Sequence, residues 1–248
     1  NKHSLFTNKP VVWLVYILLI ISNLLYFSRT MIIVAGILAL SFSGYTILTR
    51  KTIKIALVGI LGIALFYTYL HTANIKREGK GVEAFLYKIK IAPEEVFKSR
   101  VSIENKEALW DHWRGYEASR ALYLMEQQPS SYIFGAGMGS VINLKFFAPL
   151  SDNPKGLKYI SELHNGYMYL LYKTGIIGLL IYLFAITRWY LVVYQEKNFT
   201  NTFISAIGII YLITTLTITG TYNTRDIGIF ILGGLIFFRI KDKRAIEQ

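Results

Sequence analysis

Residues 11–48 read VVWLVYILLIISNLLYF, then SRT, then MIIVAGILALSFSGYTIL. Two apolar runs, 11–27 and 31–48, are separated by Ser28, Arg29 and Thr30 alone. At a rise of roughly 1.5 Å per residue, each is close to the roughly 20 residues that cross a bilayer. The stretch therefore reads as two membrane helices joined by a hairpin with one arginine at its tip. Further apolar runs lie at 54–70, 166–187, about 203–219 and 227–238, the last rather short. The expected fold is an all-α membrane protein of about six transmembrane helices.

Composition supports this class. Of 248 residues, 53% are hydrophobic and 17% charged, with mean hydropathy +0.40, which argues against a disordered tail or an ordinary soluble domain. Lys and Arg number 27 against 15 Asp and Glu, and in a soluble protein of pI 9.7 that surplus would suggest nucleic acid. Its distribution suggests lipid instead, and no nucleic-acid partner is expected. The segment 71–163 holds 13 basic and 11 acidic side chains, so the remaining 155 residues hold 14 basic and 4 acidic. The surplus flanks the apolar runs, where anionic lipid and topology make use of it. With no cysteine, disulfides, thiolate metal sites and a Cys nucleophile are excluded. The chain opens at Asn1 with no signal peptide before the first run, and reads as the C-terminal half of a longer membrane protein. There is no internal repeat.

Short loops set the orientation, since Lys and Arg beside membrane spans stay on the cytoplasmic side. Lys2 and Lys9 precede the first run, and Arg50, Lys51 and Lys54 join the second to the third. Arg188 and Lys197 join the fourth to the fifth, and Arg239, Lys241, Lys243 and Arg244 follow the sixth. The other side receives the Arg29 hairpin, the long segment 71–163 and the turn GTYNTRD at 220–226. The chain thus divides into three spans (1–70), an extracytoplasmic loop (71–163), and three spans with a basic tail (164–248). Within the loop, 108–127 (ALWDHWRGYEASRALYLMEQ) reads as one amphipathic helix, with Trp110, Trp113, Tyr116, Leu122, Leu124 and Met125 suited to the headgroup level. Pro129 and the glycines of GAGMGS (135–140) end it.

Arg29 is the most informative residue. An arginine at membrane depth faces a cavity or a partner; the bland alternative is a snorkelling side chain. The positive-inside bias disfavours a decorative arginine on the outer side, so something anionic offsets its cost. His164 begins the fourth span, also at the outer face, where imidazole exchanges protons near neutral pH, although a structural histidine at a helix start is the plainer reading. Asn165 either caps that helix or orients the ring. Gly175 and Gly178 suit close helix packing rather than phosphate binding. Arg114 and Arg120 lie six residues apart on the loop helix and point to different faces, so one of them looks inward, the other pairing with Glu117 or Asp111. GAGMGS is a weak anion-nest signal, and no His, Asp or Glu spacing suggests a metal. Together, Arg29, Arg114 and His164 share one face, as a pyrophosphate leaving group requires: cations to neutralise developing charge and a base for the attacking hydroxyl.

The SRT tripeptide, the fourteen residues between Arg114 and Pro129 with GAG following, and HNGYMYLLYKTGIIGLLIYL from His164 resemble the O-antigen ligase and O-antigen polymerase superfamily of bacterial membrane glycosyltransferases. The resemblance runs from about Phe27 to Leu183 and departs from the family in the six residues PSSYIF before Gly135. It implies a GT-C-like enzyme of the bacterial inner membrane whose active site faces the periplasm, serving lipopolysaccharide or polysaccharide biosynthesis. The donor would be a saccharide on a polyprenyl (undecaprenyl) pyrophosphate, with no cofactor or metal. The acceptor hydroxyl would belong to a glycan, lipid A core or protein. On that resemblance Arg29 and Arg114 hold the pyrophosphate, His164 is the base, and Arg120 and Asn165 are secondary candidates. Two readings stand beside it: a flippase for lipid-linked glycan, which needs the arginines but no base, and a non-catalytic assembly subunit, in which the three residues do not converge.

Overall fold

The computed structural model describes residues 9–26, 28–97, 101–151, 154–217, 220–222 and 226–246. Lys2, Phe27, residues 218–219 and residues 223–225 of the GTYNTRD turn, all of which enter the sequence reading, lie outside the described residues. Each of the six apolar runs forms a helix. In chain order, α1 (Lys9–Tyr26), α2 (Arg29–Phe42) and α3 (Arg50–Thr72) precede the long loop. The loop contains α4 (Val82–Lys90), α5 (Ala92–Phe97), α6 (Lys106–Asp111), α7 (Trp113–Gln127) and α8 (Ser131–Phe134), then strands β1 (Ile142–Ala148) and β2 (Leu157–Ile160). Helices α9 (Gly166–Leu191), α10 (Phe199–Thr214) and α11 (Gly228–Ile246) complete the chain.

By length and composition, α3 and the continuous segment Gly166–Tyr194 are long and apolar enough to cross a membrane. Helices α2 and α10 are apolar but shorter. The second run does not remain helical to residue 48, because the chain turns over 43–46 and α3 restarts behind Thr49. There Thr49 Oγ1 accepts from the Thr52 amide at 3.1 Å and Thr52 Oγ1 from the Thr49 amide at 2.7 Å, a reciprocal cap that satisfies two orphan donors.

Helix α10 packs against α9, α2 and α11 around Leu170, Tyr182, Ile186, Ile204, Ile207, Tyr211 and Leu232. Helix α3 turns nearly all its side chains outward, Leu57, Val58, Leu61, Ile63 and Leu65 among them. Such a surface is costly in water and natural in hydrocarbon. Hydrogen bonds define the two ends of the bundle. At one end, Leu48 N donates to Tyr194 Oη at 2.7 Å, Tyr190 Oη donates to Thr46 O at 2.9 Å, and Arg239 donates to the Gln195 side chain. The basic loops after α2 and α9 therefore lie together. At the other end the Gly166 amide donates to Thr215 O at 2.8 Å, next to the long loop.

Two expectations for the loop need correction. The chain is mostly but not wholly helical, since β1 and β2 form an antiparallel ribbon pairing Ile142 with Ile160 and Asn143 with Tyr159. Alternating burial along INLKFFA supports a strand, and an irregularity after Asn143 places Lys145 at φ 68°. The segment 108–127 is not one helix, because His112 leaves the helical region at φ −119°, ψ 29°. Nor is its apolar face given to the headgroup level. Trp113, Tyr116, Ala121 and Met125 are buried against Ile142, Leu144 and Leu163 of the ribbon and its exit. A two-layer core offers that face a drier partner than the interface does.

Candidate active site

Arg29 opens α2 directly after the extended Ser28, so its side chain leaves that apolar helix at the loop end of the bundle. One guanidinium nitrogen donates to Lys88 O at 2.7 Å and another lies 3.5 Å from Glu95 Oε2. Arg114, on the first turn of α7, donates through Nη1 to Glu95 Oε1 and through Nε to Thr217 O at 3.2 Å. The two arginines, 85 positions apart in sequence, therefore converge on one carboxylate. All three side chains are a third exposed or less, so their charges are poorly screened. Two guanidiniums against one carboxylate leave a net positive niche, the electrostatic condition for binding a more highly charged anion.

One helical turn beyond Arg114, Glu117 is fully buried. Both its oxygens are used by one residue: Oε2 accepts from the His164 backbone amide at 2.9 Å, and Oε1 lies 3.0 Å from His164 Nδ1. With Nδ1 donating to a carboxylate, the ring carries its proton there and leaves the Nε2 lone pair available. The His164 side chain is 55% exposed, so Nε2 has access from outside. The hydrogen bond to Glu117 raises the imidazole pKa above 6.5; partial burial and the Arg114 charge oppose it. The charge of Arg114 thus acts on His164, and the three expected residues form one run: Arg29, Glu95, Arg114, then Glu117 and His164.

Asn165 caps α9, its side-chain oxygen accepting from Met168 N at 3.2 Å. It does not hold the imidazole. Arg120 faces the ribbon: Nε donates to Asn143 O at 2.9 Å and the guanidinium lies 4.8 Å from the Tyr123 ring centre. Arg114 is thus the member that looks into the site, with Glu95 as its partner, while Arg120 meets the Asn143 carbonyl and the Tyr123 ring rather than Glu117 or Asp111. GAGMGS cradles a cation, not an anion. The buried Lys173 donates to Met138 O at 2.9 Å and to Ser140 O, so carbonyls converge there. At Gly135 (φ 78°) and Gly175 (φ 67°), where α9 is kinked, a Cβ would strike the facing backbone. That contact fixes the loop on α9. At Gly178 the nearest atoms a Cβ would meet belong to the Thr174 side chain of its own helix.

Two cavities flank the arginines. An apolar one of about 260 Å³ lies between Thr30, Ile33, Ala92, Pro93, Val96, Ile213 and Thr217. A more polar one of about 440 Å³ is lined by Arg29, Arg77, Tyr87, Glu95, Trp110 and Asp111, among others. Neither of these two cavities is lined by Arg114 or His164.

Glu95, Glu117 and Lys173 were missed in the sequence. Glu117 carried a usable signal, since it lies three residues after Arg114 on a helix and shares its face. Glu95 lies in APEEVF, where an acidic first helical turn is ordinary and gives no signal of its own.

The O-antigen ligase family profile matches residues 14–183, more than half of the chain, from within α1 to the middle of α9. No curated protein and no solved structure matches. The matched stretch includes Arg29, Glu95, Arg114, Glu117 and His164 and stops where the resemblance read from the sequence stops. Together with the two apolar helices, this makes the protein a membrane protein of O-antigen ligase or polymerase type. The chain belongs to the O-antigen ligase family.

Proposed function

We propose that this protein is an inverting glycosyltransferase of the bacterial inner membrane. It joins a saccharide carried on polyprenyl pyrophosphate to an acceptor hydroxyl at the periplasmic face, as a polymerase or a ligase. The convergence of Arg29 and Arg114 on Glu95, one helical turn from the Glu117–His164 pair, carries this reading. In the resting protein the Glu95 carboxylate stands in for a phosphate. The donor's pyrophosphate, with more charge and more acceptor oxygens, displaces it and takes both guanidiniums.

The reaction then needs one proton transfer and one substitution. His164 Nε2 accepts the proton of the acceptor hydroxyl. The acceptor oxygen bonds to the anomeric carbon from the face opposite the pyrophosphate, the bond from that carbon to the pyrophosphate oxygen breaks, and configuration inverts. The electron pair stays on the pyrophosphate, where Arg29 and Arg114 neutralise it. These guanidiniums supply the compensating charge without a metal. Glu117 holds the imidazole in the accepting tautomer, and half-exposed His164 returns its proton to solvent. All six apolar helices cross the bilayer in this arrangement, with the basic loops cytoplasmic.

The test is His164→Ala in protein reconstituted with a lipid-linked donor and acceptor. The backbone amide of residue 164 still reaches Glu117, so the fold has reason to survive. Donor binding should persist while transfer falls by about 10² to 10⁴, the usual contribution of a general base. Undiminished transfer overturns the assignment.

A further inference from the structure

The polar cavity shares Arg29 and Glu95 with the clamp, but the rest of its lining takes no part in the clamp or the proton transfer. Its walls come from α4, α6 and the chain between α3 and α4, at the loop end of the bundle. Its volume, about 440 Å³, falls in the roughly 300–1,000 Å³ range of small-molecule sites. One wall is Trp110, 38% exposed and stacked on Trp113 with ring centres 4.8 Å apart. The stack holds the outer indole rigid, and a rigid aromatic ring contributes contact area at little entropic cost. The adjoining wall is polar and already ordered. Asp111 Oδ2 accepts from Arg77 Nε at 2.9 Å and from Tyr87 Oη at 3.1 Å, while Glu107 holds another Arg77 nitrogen at 2.8 Å.

We propose that this cavity is a saccharide subsite: Trp110 takes the apolar face of a pyranose ring, and Asp111 and Arg77 bond its hydroxyls. The choice of ligand follows from the lining. A pyranose has a CH-rich face and an edge of hydroxyl donors and acceptors, and the site presents one aromatic wall beside a carboxylate and a guanidinium. Location narrows it further. Arg29 and Glu95 belong to both the cavity and the clamp, so a ring seated here is within a short bridge of the pyrophosphate. The subsite therefore belongs to the sugar of the donor. An isoprenoid tail would find the polar wall unfavourable and has the apolar cavity on the other side of α5.

The inference rests on the clamp proposed above, and its test separates the two. Protein in nanodiscs is titrated with undecaprenyl pyrophosphate and with the same lipid carrying one N-acetylglucosamine. Wild type should bind the glycosylated probe about tenfold more tightly, the effect of one well-seated ring. Trp110→Ala should abolish that preference while leaving the bare-lipid affinity unchanged, which also certifies the fold. Trp110→Phe should retain most of the preference, and Arg29→Ala should weaken both probes. Equal binding of the two probes by wild type, or a preference that survives Trp110→Ala, overturns the subsite and leaves the clamp standing. Failure of both probes to bind wild type overturns the clamp, and the subsite with it.

Discussion

Glu117→Gln is the most informative single substitution, because it preserves shape and removes one charge. Glu117 uses both oxygens on His164, accepting from the backbone amide at 2.9 Å and facing Nδ1 at 3.0 Å. Glutamine has one acceptor oxygen and one NH₂ group. If the oxygen stays on the amide, the NH₂ faces Nδ1, the proton moves to Nε2, and the imidazole presents a donor where a base is required. If the oxygen turns to Nδ1, a buried amide donor is stranded against NH₂, at a cost of about 1–3 kcal/mol. Either outcome reduces the population of competent enzyme, by about tenfold for each 1.4 kcal/mol. Loss of the carboxylate also removes the principal influence raising the His164 pKa and leaves partial burial and Arg114, which lower it, against only the weaker Glu162 charge, which raises it. A general base works when deprotonated, so the acidic limb of the rate profile should lie above pH 6.5 in wild type and move to lower pH in the variant. The assay is initial transfer rate against pH with reconstituted protein, donor and acceptor. A variant with an unmoved limb and an undiminished plateau would refute the positioning role of Glu117.

Other expectations follow from the same geometry. Glu95→Ala frees both guanidiniums from their resting partner, so donor KM should fall several-fold, while Arg114→Ala should raise it and lower kcat; titration with undecaprenyl pyrophosphate checks both. The raised His164 pKa has a linked effect on stability. Protonated His164 is favoured in the folded state, so its contribution is full below pH 6.5 and fades as pH rises through the raised value, opposite to the activity trend. Thermal unfolding of wild type and His164→Ala across pH 5 to 8 measures this. Lys173→Met removes the buried ammonium that bonds Met138 O and Ser140 O and so pins the GAGMGS turn to α9. It should cost about 1–3 kcal/mol and lower Tm without altering donor binding to the bare lipid. With no native cysteine, single cysteines at Lys155 and Lys197 should be labelled from opposite sides of the membrane.

The six helices were legible because continuous apolar runs demand burial or lipid. What the sequence concealed was pairing across distance. Arg29 announced an anionic partner, but nothing local pointed to Glu95, which the α4–α5 turn carries back over α2. His164 was legible as a candidate because it stands at the junction of loop and span; Glu117 was legible only as a neighbour of Arg114, since its pairing with His164 spans 47 positions. The ribbon was missed for a related reason. INLKFFA and LKYI are short, and their pairing becomes favourable only once α7 provides a core beneath Ile142 and Leu144. The same core explains the segment 108–127, whose aromatic residues were read as apolar area but assigned to lipid, whereas Trp113 and Tyr116 are buried in protein. GAGMGS, a weak anion signal when read alone, holds a cation instead, because Lys173, more than thirty residues later, brings its ammonium to the turn's carbonyls.

The central claim is that Glu95 holds the place of the donor's pyrophosphate between Arg29 and Arg114. A structure of the protein in nanodiscs with a bound polyprenyl-pyrophosphate saccharide tests it most directly. The account predicts phosphate oxygens at roughly 2.7–2.9 Å from both guanidiniums, Glu95 displaced from them, and His164 Nε2 turned toward the anomeric side of the sugar. A bound donor whose pyrophosphate lies elsewhere, with Glu95 still bridging the two arginines, would contradict it.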